Sequence, residues 1–308
     1  MDISVVIPAC NAERFIETTL RTVYAQTLAP REVIVVDDGS KDGTAALVER
    51  VARGASVPTT LLQQANAGPG AARNRGVSAA RGELVAFVDA DDEWLPEKLE
   101  RQVVCLQANA GALLCHTNLV VIDVEGEVVR LPDKRAGATF EALLARNFIA
   151  NSSVVVRRHA LGEAPFSCRR DLISSEDYDL WLRLARKGPL SYVPERLLRY
   201  RVHGSNLNRT GRRGHDAERA VLLDVFASLE RAGTLDAGFR RRRLAQVSFE
   251  CGKTLLREGD RAGAREELLR AFRGDPRRLG ALGMAAATLA SPTFLGRARD
   301  WLRARSLT

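Results

Sequence analysis

Cysteine is scarce and unpaired in this sequence. Cys10, Cys105, Cys115, Cys168 and Cys251 are odd in number and show no Cys-x-x-Cys spacing. That excludes a disulfide framework or a cysteine zinc site and predicts reduced, mostly structural thiols. Long hydrophobic runs are missing too: the stretch Leu279 to Phe294 is interrupted by Gly280, Gly283, Ser291 and Pro292 and falls short of the roughly 20 apolar residues a membrane span requires. Met1-Asp2-Ile3-Ser4 enters a strand-like segment without a basic region and apolar core. No signal peptide is read, and a cytoplasmic location is expected. Aromatic residues are few, and none is interleaved with Arg240 to Arg243. With no zinc or RNA-binding signature, nucleic acid is not an expected partner.

What remains is a chain of 308 residues, 45% hydrophobic and 27% charged. That composition suits a soluble globular protein with one large core and a smaller appended unit. The net charge of +8 is unevenly placed: residues 199 to 308 hold 23 Lys+Arg against 12 Asp+Glu, leaving 23 against 26 for residues 1 to 198. A near-neutral domain is thus followed by a basic tail, which suits an anionic membrane surface or a solvated helical face.

The most informative stretch is Val85-Ala86-Phe87-Val88-Asp89-Ala90-Asp91-Asp92. Four apolar residues suit a strand buried on both faces of a parallel sheet, and three carboxylates follow at once. Desolvating such a cluster is costly without a cation or hydrogen-bond donors. In open α/β sheets ligands collect at the carboxyl ends of strands, so a divalent metal and a phosphate-bearing ligand are expected there. The competing role, a helix cap before Trp94 and Pro96, needs one carboxylate rather than three.

The rest of the chain alternates strand and helix. Ile3 to Ile7 reads as a first strand stopped by Pro8, followed by an amphipathic helix from Asn11, its N-cap, to Gln26. Glu32 to Val36 is a second strand running into Asp37-Asp38, Gly43 to Arg53 a helix, Thr59 to Gln63 a third strand, and Asn66 to Gly76 a glycine-bearing loop entering a helix. Short loops between such elements predict a parallel sheet covered on both faces. Gly68-Pro69-Gly70-Ala71-Ala72-Arg73 imitates a dinucleotide fingerprint, but Arg73 stands in place of the third glycine and the segment does not follow the first strand. Further on, Pro96 begins a helix through Gln107, Ala112 to Val121 and Val128 to Arg130 form a strand pair, Phe140 to Arg146 is a helix, and Ser152 to Arg157 a strand. Ser174 to Leu182 opens another helix with Glu176-Asp177 at its start, Leu197 to Val202 is a strand, and Asn208 to Gly214 a linker. From about Asp216 the chain reads as helical. Gly252, Ala264, Leu268, Ala271 and Pro276 fall at the offsets of one tetratricopeptide unit, with Gly259-Asp260 as its turn. The expected division is residues 1–213 and 214–308.

Taken together, Val6-Ile7-Pro8-Ala9-Cys10-Asn11 with Glu13, Val36 to Ser40 with Asp42-Gly43-Thr44, Gly70 to Gly76, Asp89-Ala90-Asp91-Asp92 and Glu176-Asp177 make residues 3 to 205 resemble the inverting glycosyltransferases of family 2. The resemblance implies the GT-A fold, a mostly parallel sheet with helices on both faces, here with a helical C-terminal extension. It implies that Pro8, Ala9, Glu13, Asp38, Arg73 and Asp89 surround the nucleotide, with Asp38 on the base N–H and Asp89 on the ribose. Asp91 would ligate Mn²⁺ or Mg²⁺ across the diphosphate, Asp89 completing its shell, and His203 would add a contact from a closing loop. Asp177, beside Glu176, would be the general base of a single inverting displacement. Ser174-x-x-Asp177 also has capping-box spacing, which is the bland account of that aspartate.

Cys10 stands where the family commonly has an aromatic residue, and the Gln-x-x-Arg-Trp motif of processive members is missing. One sugar at a time, from a UDP-sugar with TDP and GDP as alternatives, is the expected chemistry, in polysaccharide, glycolipid or other cell-surface glycan assembly. A silent nucleotide-sugar-binding scaffold whose helical tail binds a protein partner is the competing class, but a pure binder has no chemical need to keep Asp91 and Asp177 together. A nucleotidyltransferase would carry a basic glycine loop after the first strand. The tail, with Phe294, Leu295, Trp301 and Leu302 beside Arg297, Arg299, Arg303 and Arg305, suits the inner face of a membrane, a helical cap or a homodimer contact.

Overall fold

The computed structural model describes residues 1–132, 139–204 and 211–289. The chain divides into two compact units, Met1–His203 and residues 204–308, so the division falls ahead of the expected boundary at 213.

In the first unit the elements run β1 (Ile3–Ala9), α1 (Ile16–Tyr24), β2 (Glu32–Asp38), α2 (Thr44–Ala52), β3 (Thr59–Gln64), α3 (Pro69–Ala79), β4 (Leu84–Phe87), β5 (Glu93–Trp94), α4 (Lys98–Ala108), β6 (Leu114–Ile122), β7 (Val128–Arg130), α5 (Phe140–Ala145), β8 (Val154–Arg157), α6 (Arg158–Leu161), α7 (Glu176–Lys187) and β9 (Leu190–Arg201). Among the described residues they form one sheet in the order β3-β2-β1-β4-β8-β6-β9-β5, with β7 beside β6. The β3-β2-β1-β4 part is parallel. Beyond it β8 runs antiparallel to both β4 and β6, while β6 and β9 are parallel. The apolar runs of β1, β2 and β4 are buried along their length, Val5, Val6, Ile7, Val35, Val85 and Phe87 among them. Both faces of these strands are therefore covered.

Three local expectations are corrected. Pro8 does not stop β1, which continues to Ala9. Pro8 pairs with Val36 and lies beyond the last β1–β4 partners, Val6 and Phe87, where a missing N–H harms no ladder. Asn11 does not cap α1. It sits in the left-handed region at φ 51° and ties two loops, its N–H donating to Ser40 Oγ at 2.9 Å and its Oδ1 accepting from Lys41 N at 2.9 Å. Pro96 precedes α4 rather than opening it, because Glu93–Trp94 is first drawn into a short strand against β9. Of the expected linker, Gly211 to Gly214 already belong to a helix, and Asn208 to Thr210 lie outside the described residues.

The second unit comprises α8 (Gly211–Arg231), α9 (Ala237–Glu258), α10 (Arg261–Gly274) and α11 (Leu279–Ala287). The expected helix pair is α9 and α10. Gly259 takes φ +87° at the turn, and Asp260 caps α10 by accepting from Gly263 N at 2.9 Å. Gly252 lets the helices approach: a Cβ there would meet Leu268 Cγ at 2.7 Å. Buried Glu267 pairs with Arg219 at 2.7 Å, tying α10 to α8. Leu268, Ala271, Ala281 and Ala285 form the apolar contact between α10 and α11. All five cysteines are free, and no described helix is long and apolar enough to cross a membrane.

Candidate active site

The carboxylates after β4 are held by donors from several elements. Asp89 N–H donates to Ser152 Oγ at 2.9 Å, and Asp89 Oδ1 accepts from Arg73 Nη2 at 2.8 Å and Asn151 Nδ2 at 2.9 Å. Asp91 Oδ2 lies 2.8 Å from His203 Nε2, and the imidazole stacks on Phe15 with centroids 5.0 Å apart. Asp92 is fully buried and is a structural anchor: its Oδ1 accepts the Arg201 N–H at 2.8 Å. Arg201 in turn donates to the Asp91 carbonyl at 2.9 Å and pairs with Glu93. The end of β9 thereby clamps the acidic turn, and Thr19 Oγ1 holds the Ala90 and Asp92 carbonyls at 2.9 and 2.8 Å. Desolvation, and then the charge of Asp89, raises the Asp91 carboxyl above the ordinary aspartate range, while His203 draws it down.

Asp177 lies in the first turn of α7, partly exposed. No capping box forms: Ser175 is the N-cap without a side-chain bond, and Asp177 Oδ1 accepts from its neighbour Tyr178 N at 2.7 Å. Desolvation, and then Glu176, pushes the Asp177 carboxyl up to about 7, and the Arg73 guanidinium opposes the rise. Glu176 is buried. Its Oε1 takes Arg73 Nη1 at 2.5 Å and its Oε2 takes Ser174 N at 2.8 Å, with Ser174 in the left-handed region at φ 84°.

Arg73 is buried, and its two terminal nitrogens are engaged by Asp89 and Glu176. Its helix is pressed against the loop before α7, where a Cβ on Gly70 would stand 2.6 Å from the Ser167 carbonyl oxygen. Gly70→Ala is expected to cost about 1–3 kcal/mol by overpacking, read as a lowered melting temperature.

At the far edge of the corner, Asp38 is buried and both carboxylate oxygens are used: Oδ1 accepts from Gln64 Nε2 and Ala67 N, and Oδ2 from Gly68 N, each at 2.8 Å. Asp37 makes the turn, accepting Ser40 N at 3.0 Å. Glu13 Oε2 accepts from Gly43 N at 2.9 Å, so this exposed side chain joins the loop after β1 to the start of α2. Pro8 and Ala9 close β1 beside it. Sequence reasoning missed Asn151, Ser152 and Arg201. The signal was present in Asn151-Ser152-Ser153, three polar residues immediately before an apolar strand and all buried. Among the described residues no three His, Cys, Asp or Glu side chains are drawn together as a ready-made metal cage.

The mostly parallel sheet flanked by helices, with acids gathered at its strand ends, is similar to the GT-A glycosyltransferase fold. The model of glycosyl transferase family 2 matches residues 4–161, and the chain belongs to that family. Glu176, Asp177 and His203 lie beyond the matched residues. A glycosyltransferase of Nostoc is 32% identical over 215 residues, 67% of this chain and 66% of the relative. The chain therefore spans about two thirds of that relative's length. TuaG of Bacillus subtilis, a putative teichuronic acid biosynthesis glycosyltransferase, is 28% identical over 211 residues, 67% of this chain and 81% of TuaG. Among solved structures, S. aureus TarS 1-349 in complex with UDP-GlcNAc superposes with a TM-score of 0.64 at 19% identity, covering 94% of this chain and 88% of the TarS 1-349 chain. The mannosyltransferase PcManGT of Pyrobaculum calidifontis, in complex with GDP-Man and Mn²⁺, gives 0.61 at 22% identity, covering 99% and 84%.

Proposed function

We propose that this glycosyltransferase moves one sugar, with inversion, from a nucleotide-diphospho-sugar to an acceptor hydroxyl in the assembly of a cell-surface polysaccharide or glycolipid. The observation that carries the reading is the position of Asp177 in the first turn of α7, next to Glu176, whose carboxylate shares the Arg73 guanidinium with Asp89; desolvation pushes the Asp177 carboxyl up to about 7. A base whose pKa lies near the working pH is well matched to removing a hydroxyl proton. As that proton passes to Asp177, the acceptor oxygen bonds to the anomeric carbon. The bond from that carbon to the diphosphate oxygen breaks on the opposite face, and its electron pair leaves with the nucleoside diphosphate. Glu176 holds Arg73 and the Ser174 N–H, which positions the first turn of α7 and with it Asp177.

On the donor side, Pro8, Ala9, Glu13 and Asp38 form the nucleotide edge and Asp89 the ribose contact, with Arg73 acting through Asp89. Asp91 and Asp89 through carboxylate oxygens, and His203 through its imidazole, would be the residues to hold a hard divalent ion such as Mg²⁺ or Mn²⁺. Such an ion supplies neutralisation of the diphosphate as it leaves. UDP is the favoured nucleotide. TarS carries UDP-GlcNAc in its structure and PcManGT carries GDP-Man, and TuaG is named for teichuronic acid biosynthesis; these support the donor and acceptor classes.

A thermal-shift panel of UDP-, TDP- and GDP-sugars with and without Mn²⁺ tests the assignment. One nucleotide class is expected to raise the melting temperature only with metal, as a ligand selective for the native state must. Asp91→Ala is expected to lose that increment and Asp177→Asn to keep it. A wild-type protein indifferent to every nucleotide with metal present would overturn the reading.

A further inference from the structure

Among the described residues two that are not glycine hold a positive φ, Asn11 and Ser174. Asparagine visits that region readily. Serine does so less easily, and such a conformation persists where the surroundings over-determine it. Around Ser174 they do. Phe166, in the loop before α7, is pinned to α3 by Asn74, whose Oδ1 accepts Phe166 N and whose Nδ2 donates to the Phe166 carbonyl, each at 2.8 Å. Nearer the helix, Ser175 N donates to the Leu172 carbonyl at 2.8 Å. Ser174 N donates to Glu176 Oε2, and the other oxygen of Glu176 is held by buried Arg73.

The consequence is a helix that starts one residue late. An extended Ser174 would be the N-cap, and Asp177, at the third helical position, would accept the Ser174 N–H as the acid of a capping box. With Ser174 left-handed the N-cap is Ser175, and Asp177 falls at the second helical position. Ser174 Oγ caps nothing: it is buried without a hydrogen-bond partner among the described residues. Glu176 takes the backbone N–H that the box would assign to Asp177, and Asp177 keeps the bond from Tyr178 N beside it. We propose that the left-handed backbone of Ser174 is a positioning device for the base, diverting the capping bond from Asp177 to Glu176 so that the Asp177 carboxylate is left for the acceptor hydroxyl. The inference rests on Asp177 as the general base, and it makes Ser174 a positioning residue rather than a catalytic one.

Two substitutions separate the backbone from the hydroxyl. Ser174→Gly removes the hydroxyl and accepts a positive φ freely. Ser174→Thr keeps the hydroxyl, favours the extended cap and resists the left-handed region through its branched Cβ. Turnover is read as nucleoside diphosphate released to water from the nucleotide-sugar that the thermal-shift panel selects. Ser174→Gly is expected to stay within about threefold of the wild-type kcat, and Ser174→Thr to fall about tenfold or more with KM for the nucleotide-sugar unchanged. A second measurement needs no ligand. Asp177→Asn is expected to raise the melting temperature at pH 8 in the wild-type and Ser174→Gly backgrounds. In the Ser174→Thr background it is expected to lower it, because the carboxylate has become the acceptor of the cap and a neutral amide replaces it poorly. The charged neighbours of Asp177, namely Glu176, Arg73 and Asp89, are the same in every variant. Equal kcat in the two Ser174 variants overturns the proposal. A Ser174→Gly variant as slow as Ser174→Thr overturns it too, by making the hydroxyl the active element. So does an Asp177→Asn effect of one sign in all three backgrounds, with the base reading left standing. Wild-type kcat in Asp177→Asn alone overturns the base reading, and the proposal with it.

Discussion

Asp177→Asn is expected to lower kcat by about two to four orders of magnitude, the usual contribution of a positioned general base, while leaving KM for the nucleotide-sugar near its wild-type value. Asparagine keeps the shape and the bond from Tyr178 N but cannot take a proton. The wild-type rate is expected to rise with pH through about 7, where the Asp177 carboxyl ionises, because only the carboxylate accepts the acceptor's proton. The same group makes a stability prediction of definite sign. Its folded pKa, about 7, lies above the ordinary 3.8, so the unfolded chain gives up this proton first and the folded state is penalised as pH rises between those values. Asp177→Asn is therefore expected to melt higher than wild type at pH 8, with the advantage shrinking as pH falls toward 4. A variant that is inactive yet gains no stability at high pH would remove the desolvated carboxylate from the account. A variant with wild-type kcat would remove the base.

Arg73→Met is expected to have the largest effect on stability. Arg73 and Glu176 are buried, and Asp89 shares the same guanidinium. Removing one partner of a buried ion pair typically costs about 3–5 kcal/mol, because the carboxylates stay behind without compensation. The Arg73 cation also opposes the rise of the Asp177 carboxyl. Its loss is expected to move the acidic limb of the pH–rate profile to higher pH, a shift that a purely structural role does not produce. Arg73→Lys keeps the charge and loses the planar fork that spans two carboxylates. It is expected to restore the position of the limb more fully than the melting temperature. Equal damage by both substitutions, with an unmoved limb, would reduce Arg73 to a packing residue.

Much of the first unit was readable one segment at a time. Apolar runs bounded by Gly, Pro and Asp mark β1, β2 and β4 because a strand buried on both faces tolerates little else. Short helices with clear stripes, α2 and α5, fall where the spacing predicts. What failed was local chemistry redirected by distant partners. Asn11 has a capping residue's composition but joins two loops. Asp92, the candidate helix cap among the three acids, accepts the Arg201 N–H from the other end of the unit. The antiparallel insertion of β8 between β4 and β6 has no sequence signature, since an apolar strand looks the same in either direction.

The sequence by itself determined the strand–helix alternation, the acidic corner after β4, the helix pair around Gly259 and the basic, uncharged-then-arginine pattern of the tail, because each depends on residues within one or two turns of each other. Only the tertiary structure decided which partners each acid meets. It turned Arg73 inward to join Asp89 and Glu176, set His203 against Asp91 and buried Asp92. A carboxylate's role follows from which charges and donors are brought within a few ångströms of it and how much water is excluded, and these partners lie up to 112 residues away in the chain.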